Sequence, residues 1–234
     1  MICDTKTPKA ATPAPIAADS GVIDVFDEIA RALVCKGKRV IGISGVDTSG
    51  KTMFADRLSR YLTTLGVKSE ILHVDDFHNP CALRRHGDNE REAYWHNAFN
   101  YRQIADEILE PLRANGKVDA KVLCLNLDTD KYENLRHYRV DGETILLIEG
   151  VLLFRPPLDD YFDGRIFLNI DFDEVMRRVK VRDVPKYGVA ILDKYREKYI
   201  PVQMRYLNEC APDKSCDILV DNTDWCNPRL LSPA

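Results

Sequence analysis

The run Arg39-Val-Ile-Gly-Ile-Ser44 passes directly into Gly45-Val-Asp-Thr-Ser-Gly50-Lys51-Thr52, and from Lys51 to Leu65 apolar residues return at helical spacing. A short apolar strand, a glycine-rich turn and an amphipathic helix therefore follow one another without a break. The turn obeys the pattern G-x-x-x-x-G-K-[ST], the Walker A loop. Its glycines let successive backbone N–H groups converge on phosphate oxygens, and the helix N-terminus adds its positive dipole end. This reading gives Gly45, Val46, Asp47, Thr48, Ser49, Gly50, Lys51 and Thr52 to the phosphates of a nucleotide. Lys51 would reach the β- and γ-phosphates, and the Thr52 hydroxyl would bind Mg²⁺.

Four more apolar runs lie downstream: Ser69 to Val74, Thr144 to Ile148, Arg165 to Ile170 and Asp217 to Val220. Each is nearly continuous rather than alternating, as parallel strands covered on both faces require. Helical periodicity fills the intervals, from Val22 to a stop at Gly37, then over Tyr101 to Ala114, Asp173 to Asp183 and Val189 to Glu209. Pro111 and Pro201 predict a kink or a restart in the helices that contain them. The succession predicts an α/β fold, a doubly wound five-stranded parallel sheet with helices on both faces. Residues 1–20, rich in Ala, Pro and Thr, read as a disordered tail, and residues 21–234 as one domain.

The chain has 234 residues with 37 acidic and 33 basic side chains, a formal charge of −4. It lacks the broad basic field of a nucleic-acid binder. No apolar run approaches the roughly 18 residues that cross a bilayer, so no membrane partner is expected. Seven cysteines are scattered along the chain without a C-x-x-C pair. That pattern predicts reduced thiols and a cytoplasmic location. Assembly into a homo-oligomer is left open.

Two acidic positions stand at predicted strand ends: His73-Val-Asp75-Asp76-Phe-His78, and Glu149 in Ile145-Leu-Leu-Ile-Glu149-Gly150. A carboxylate there faces the crevice in which such sheets bind ligands. It can accept a proton from an attacking hydroxyl or hold Mg²⁺. Spacing does not separate Asp75 from Asp76. The N-K-x-D segment of a guanine-reading switch is absent.

Taken together, GVDTSGKT, VDDFH, LLIEGVLLF and RVKVRDVPKYG resemble the phosphoribulokinase/uridine kinase family of P-loop kinases over Arg39 to Asp224. The resemblance implies a P-loop NTPase fold with a small helical lid, and ATP-dependent phosphotransfer to a hydroxyl of a small-molecule substrate. It implies Asp75 as general base and Lys51 on the transferring phosphoryl, with Thr52, Glu149 and Asp75 on Mg²⁺. Arg178 and Arg182 would close over the phosphates as lid arginines. His78, Arg84 and Tyr94 fall on the substrate side, and Arg84 with Arg85 could grip a phosphate or carboxylate. Tyr94 stands where the family's uridine kinases carry a ribose-binding Asp, and Tyr187 where the lid carries an Arg. A nucleoside is the first expectation for the acceptor. The alternatives are a sugar phosphate, pantothenate, nicotinamide riboside, or a non-catalytic nucleotide-binding regulator.

Overall fold

The computed structural model describes residues 24–34 and 36–231, so the tail expected at residues 1–20 lies outside the described residues. Among the described residues eight strands form: β1 (Val40–Gly45), β2 (Ser69–His73), β3 (Val118–Asn126), β4 (Lys131–Val140), β5 (Ile145–Gly150), β6 (Gly164–Asn169), β7 (Ile218–Asp221) and β8 (Arg229–Leu231). The main sheet has the order β2-β5-β1-β6-β7-β8, and its first five strands run parallel. These five are the strands predicted from the apolar runs. The short β8 adds an antiparallel edge beside β7, which makes the sheet six-stranded and mixed.

Alternate residues of each central strand serve two different cores, which is why the runs are continuously apolar. Ile41, Ile43, Ile145, Leu147, Ile166 and Leu168 pack on one face against Ile29, Leu33, Phe54, Leu58 and Leu62. These partners come from the first helical segment, Val25–Ile29 continuing through Ala30–Val34, and from the helix Lys51–Thr64. Leu72, Leu146, Ile148 and Phe167 pack on the other face against Ile104, Ile108, Leu112, Val202 and Tyr206. A register slip by one residue would exchange the two cores, so the pattern fixes the pairing.

In the two proline-bearing helices a π turn precedes each proline, and a new α-helical segment begins there. Tyr101–Ile104 runs through a π turn, Ala105–Leu109, into Glu110–Asn115, while Ile191–Lys194 runs through Tyr195–Tyr199 into Ile200–Cys210. Pro111 and Pro201 each stand second in the segment after the π turn. A proline has no N–H to give and its ring crowds the carbonyl four residues back. The wider turn moves that carbonyl aside and lets the helix go on.

The hairpin of β3 and β4 was not expected from the sequence. Its strands pair antiparallel from Val118↔Val140 to Asn126↔Lys131, apart from the main sheet. Val122, Cys124, Tyr138 and Val140 bury against the second core, while most of β4 is exposed. No described helix is long and apolar enough to cross a membrane. Cys81, Cys124, Cys210, Cys216 and Cys226 are free thiols.

Candidate active site

The loop that leaves β1 in the middle of the sheet wraps the N-terminus of the helix Lys51–Thr64. Gly50 (φ 88°) and Thr48 (φ 58°) both take left-handed backbone, which lets the loop turn tightly into the helix. Gly45 allows a close approach instead: a Cβ there would lie 2.7 Å from the Leu168 carbonyl oxygen. Lys51 is only 8% exposed. Its Nζ donates to the carbonyls of Val46 (2.8 Å) and Gly45 (3.2 Å), so the ammonium sits inside the curve of the loop. Burial presses Lys51 below the ordinary lysine range, opposed by Asp47, Glu149 and Asp75 around it. Burial likewise pushes the Asp47 carboxyl up, opposed chiefly by Lys51.

Beside this loop two strand ends converge. Pairing of β2 with β5 sets His73 opposite Glu149, and pairing of β1 with β5 sets Ile43 opposite the same glutamate. Glu149 is 4% exposed. Its Oε1 accepts from Thr52 Oγ1 (3.1 Å) and meets His73 Nδ1 at 2.7 Å. The adjacent acids separate clearly. Asp76 accepts two hydrogen bonds from the Arg136 guanidinium of β4, at 2.8 and 2.7 Å. Asp75 is exposed, and its carboxylate makes no hydrogen bond or ion pair among the described residues. The Thr52 hydroxyl with the Glu149 and Asp75 carboxylates is a set of hard oxygen donors, the chemistry that suits Mg²⁺ when phosphate oxygens and water complete the shell. Among the described residues no group of three or more His, Cys, Asp or Glu gathers as a self-sufficient metal cage.

A second set of residues braces the loop from behind. Arg178 Nη1 donates to the Thr48 carbonyl (2.7 Å), and Nη2 to the carbonyls of Asn222 (2.7 Å) and Thr223 (2.9 Å). Its Nε is bound to Glu174 at 2.6 Å. Arg178 was expected to close over phosphates from a lid. In this structure its fork is held by four partners in three segments, between the loop and the end of β7, and it also lines the cavity beside the loop. Asn222 Nδ2 donates to the Ser49 carbonyl at 2.6 Å. Gln203, 1% exposed, exchanges two 2.7 Å bonds with the backbone N–H and Oδ2 of Asp47. Hydrogen bonds from Arg177 and then Arg178 hold the Glu174 carboxyl down at about 2, against the upward push of its partial burial. A carboxyl lowered from 4.5 contributes stability above that pH and loses it as pH falls towards about 2. Glu174→Gln should therefore cost about 1–3 kcal/mol at neutral pH by urea unfolding. The gap to wild type should close on acidification below 4.5. A gap that does not change with pH would remove this assignment.

Two cavities meet at this centre. One, of 480 Å³, is lined by the loop residues Thr48, Gly50, Lys51 and Thr52 with Glu149, Arg178 and Trp225. The other, of 730 Å³, is lined by His78, Tyr94, Phe99, Tyr195 and Tyr199, and by residues of the short helical lid around Gly188. Asp47, Asp75, Val151 and Arg182 border both. Of the expected substrate-side residues, His78 and Tyr94 line the larger cavity, whereas Arg84 lies in a smaller pocket beside it. Burial pushes the Tyr94 hydroxyl well above the usual tyrosine range and the His78 imidazole below its own. Arg182 projects from the end of the helix Phe172–Arg182 and pairs with Asp183 at 2.6 Å. Burial alone would raise Asp183, but Arg182 and the Tyr195 hydroxyl bring it below its ordinary value. Gln203, Asn222 and Glu174 were missed in the sequence. A polar side chain on the buried stripe of an amphipathic helix, between Val202 and Tyr206, was the available signal for Gln203.

Residues 40–223 match the sequence profile of the Phosphoribulokinase / Uridine kinase family. The chain is similar to uridine-cytidine kinase A of Dictyostelium discoideum, 29% identical over 200 residues that cover 80% of this chain and 38% of that protein. It is similar to nicotinamide riboside kinase 1 of Homo sapiens, 34% identical over 151 residues that cover 61% of this chain and 64% of that protein. The chain thus spans less than two thirds of the length of either relative. A solved structure described as "a Possible Uridine Kinase from Bacillus stearothermophilus" superposes with a TM-score of 0.66 at 23% identity, over 83% of this chain and 96% of that one. The D-glycerate 3-kinase of Cryptococcus neoformans superposes with a TM-score of 0.55 at 11% identity, over 76% and 87%. The phosphate loop on β1, the acidic ends of β2 and β5 and the profile match lead to one statement: the chain belongs to the phosphoribulokinase/uridine kinase family of P-loop kinases.

Proposed function

We propose that this protein transfers the γ-phosphoryl group of ATP to a hydroxyl of a small metabolite, with Asp75 as the general base. The observation that carries this reading is the contrast between two neighbouring carboxylates. Asp76 is tied to Arg136, while Asp75 stands unpaired among the described residues at the junction of the two cavities. A carboxylate on the seam between a phosphate cavity and an acceptor cavity can take the proton of the attacking hydroxyl. Lys51 would hold the transferring phosphoryl oxygens, and Arg182, bordering both cavities, would add positive charge on the acceptor side. Arg178, which lines the phosphate cavity, would hold the loop in shape beside the phosphates. Mg²⁺, when bound by Thr52 with Glu149 and Asp75, would neutralise charge on the phosphates.

A nucleoside is the best-supported acceptor. Tyr94, Phe99, Tyr195 and Tyr199 give the larger cavity flat apolar walls on which a base could stack. Both curated relatives are named for nucleoside substrates, uridine and cytidine in one and nicotinamide riboside in the other. Acceptor-stimulated ADP release over nucleosides, sugar phosphates and pantothenate tests the reading. Release with at least one nucleoside is expected. Nucleotide binding without stimulation by any alcohol would instead mark a nucleotide-binding regulator.

A further inference from the structure

His73 is the last residue of β2, and the sheet register sets it beside Glu149 of β5. The row across three parallel strands reads Ile43, Glu149, His73. The neighbour from β1 is apolar, so of the two flanking side chains only the imidazole can donate to the buried carboxylate. His73 Nδ1 stands 2.7 Å from Glu149 Oε1, and a carboxylate oxygen only accepts, so Nδ1 carries the proton. Thr52 Oγ1 donates to the same oxygen at 3.1 Å. We propose that His73 is a positioning residue for Glu149: it fixes Oε1 from the strand side and leaves Oε2 as the oxygen offered to Mg²⁺.

Both donors converge on Oε1, and Oε2 accepts no hydrogen bond among the described residues. Glu149 and Thr52 line the phosphate cavity, whereas His73 lines neither that cavity nor the acceptor cavity. The imidazole therefore acts through the carboxylate and not on a substrate. Lys51, the buried cation nearby, is engaged with the Gly45 and Val46 carbonyls and does not hold the glutamate in its place. A glutamate held at one contact can still swing about it. A second donor, carried by a strand whose register is fixed by five paired positions, removes that freedom, and donors in this outer position generally orient a metal-binding side chain. The Thr52 hydroxyl points its proton at Oε1, so its lone pairs stay available to a cation. The inference rests on the assignment of Mg²⁺ to Thr52 and Glu149 and adds the group that orients the carboxylate.

The probe is Mn²⁺, which takes the same hard oxygen donors. Its binding to the ADP complex is read by electron paramagnetic resonance, without turnover. In His73→Leu the Mn²⁺ dissociation constant should rise about 10- to 100-fold, while the affinity for ADP in EDTA stays at the wild-type value. The Mg²⁺ concentration for half-maximal turnover should rise in step, with KM for the acceptor unchanged at saturating Mg²⁺. His73→Asn places an amide N–H where Nδ1 stands and should recover most of the metal affinity. His73→Gln, whose amide lies one bond further out, should not. Mn²⁺ affinity equal to wild type in His73→Leu, an equal loss of ADP affinity with and without metal, or His73→Asn no better than His73→Gln overturns the positioning role. Should His73→Leu fail to fold, the comparison of His73→Asn with His73→Gln decides alone. Glu149→Gln separates the two assignments. Metal affinity lost there but kept in His73→Leu sinks the positioning role and leaves the metal site standing. Metal affinity kept in Glu149→Gln removes the metal site, and the role of His73 with it.

Discussion

Asp75→Asn is expected to lower kcat about 10²- to 10⁴-fold while the affinity for an ATP analogue stays nearly constant. The substitution keeps size and polarity and removes only the capacity to take a proton. Asp75 contributes no hydrogen bond or ion pair to the fold among the described residues, so the variant should unfold at the wild-type urea concentration. Asp76→Asn is the matched control. It breaks the bidentate contact with Arg136, which ties β4 to the segment after β2. Its cost should appear in stability, by about 1–3 kcal/mol, and much less in turnover. Acceptor-dependent ADP release, nucleotide binding and urea midpoints on both variants separate the roles. Full turnover in Asp75→Asn with its loss in Asp76→Asn would move the base by one residue.

Lys51→Met should reduce kcat/KM about 10²- to 10³-fold, equivalent to about 2.7–4 kcal/mol of lost transition-state stabilisation. The ammonium is buried inside the loop, where charge interactions are screened less than in water. It is already positioned by the Gly45 and Val46 carbonyls, so little reorganisation is needed when a phosphoryl group approaches. Lys51→Arg should not restore the activity, because the wider planar fork does not fit a space filled by a narrow ammonium stem. Single-turnover phosphoryl transfer with saturating ATP measures the chemical step directly. A rate equal to wild type in Lys51→Met would remove this lysine from the mechanism.

What was legible in the sequence was local. The phosphate loop, the strand before it and the helix after it occupy one short stretch, and each is fixed by spacing alone. The ends of β2 and β5 were legible for a related reason, since an acid that interrupts an apolar run stands out. Contacts across long separations were not. Nothing near Gln203 announces that its amide locks onto Asp47, 156 residues earlier. Arg178 and Arg182 are one helical turn apart and look alike in sequence. Yet the first points back to the loop and the end of β7, while the second borders both cavities. The β3–β4 hairpin escaped because β4 is mostly solvent-facing, so its polar side chains hide the alternation that marks a half-buried strand. Arg136 on that strand is also what distinguishes Asp76 from Asp75, so spacing alone could not tell the two acids apart.

The strut of Arg178 and the Asn222 amide also bears on the order in which a growing chain acquires its properties. Domains fold as they leave the ribosome, beginning from the N-terminal side. Residues 45–52 emerge early, but the groups that hold Thr48 and Ser49 in place come from positions 178, 222 and 223. The nascent chain therefore carries the entire phosphate-binding motif long before it can hold a nucleotide firmly. A product ending before Asn222 would keep the motif and lack groups that brace it, so firm nucleotide binding is expected only once positions 178, 222 and 223 are in place.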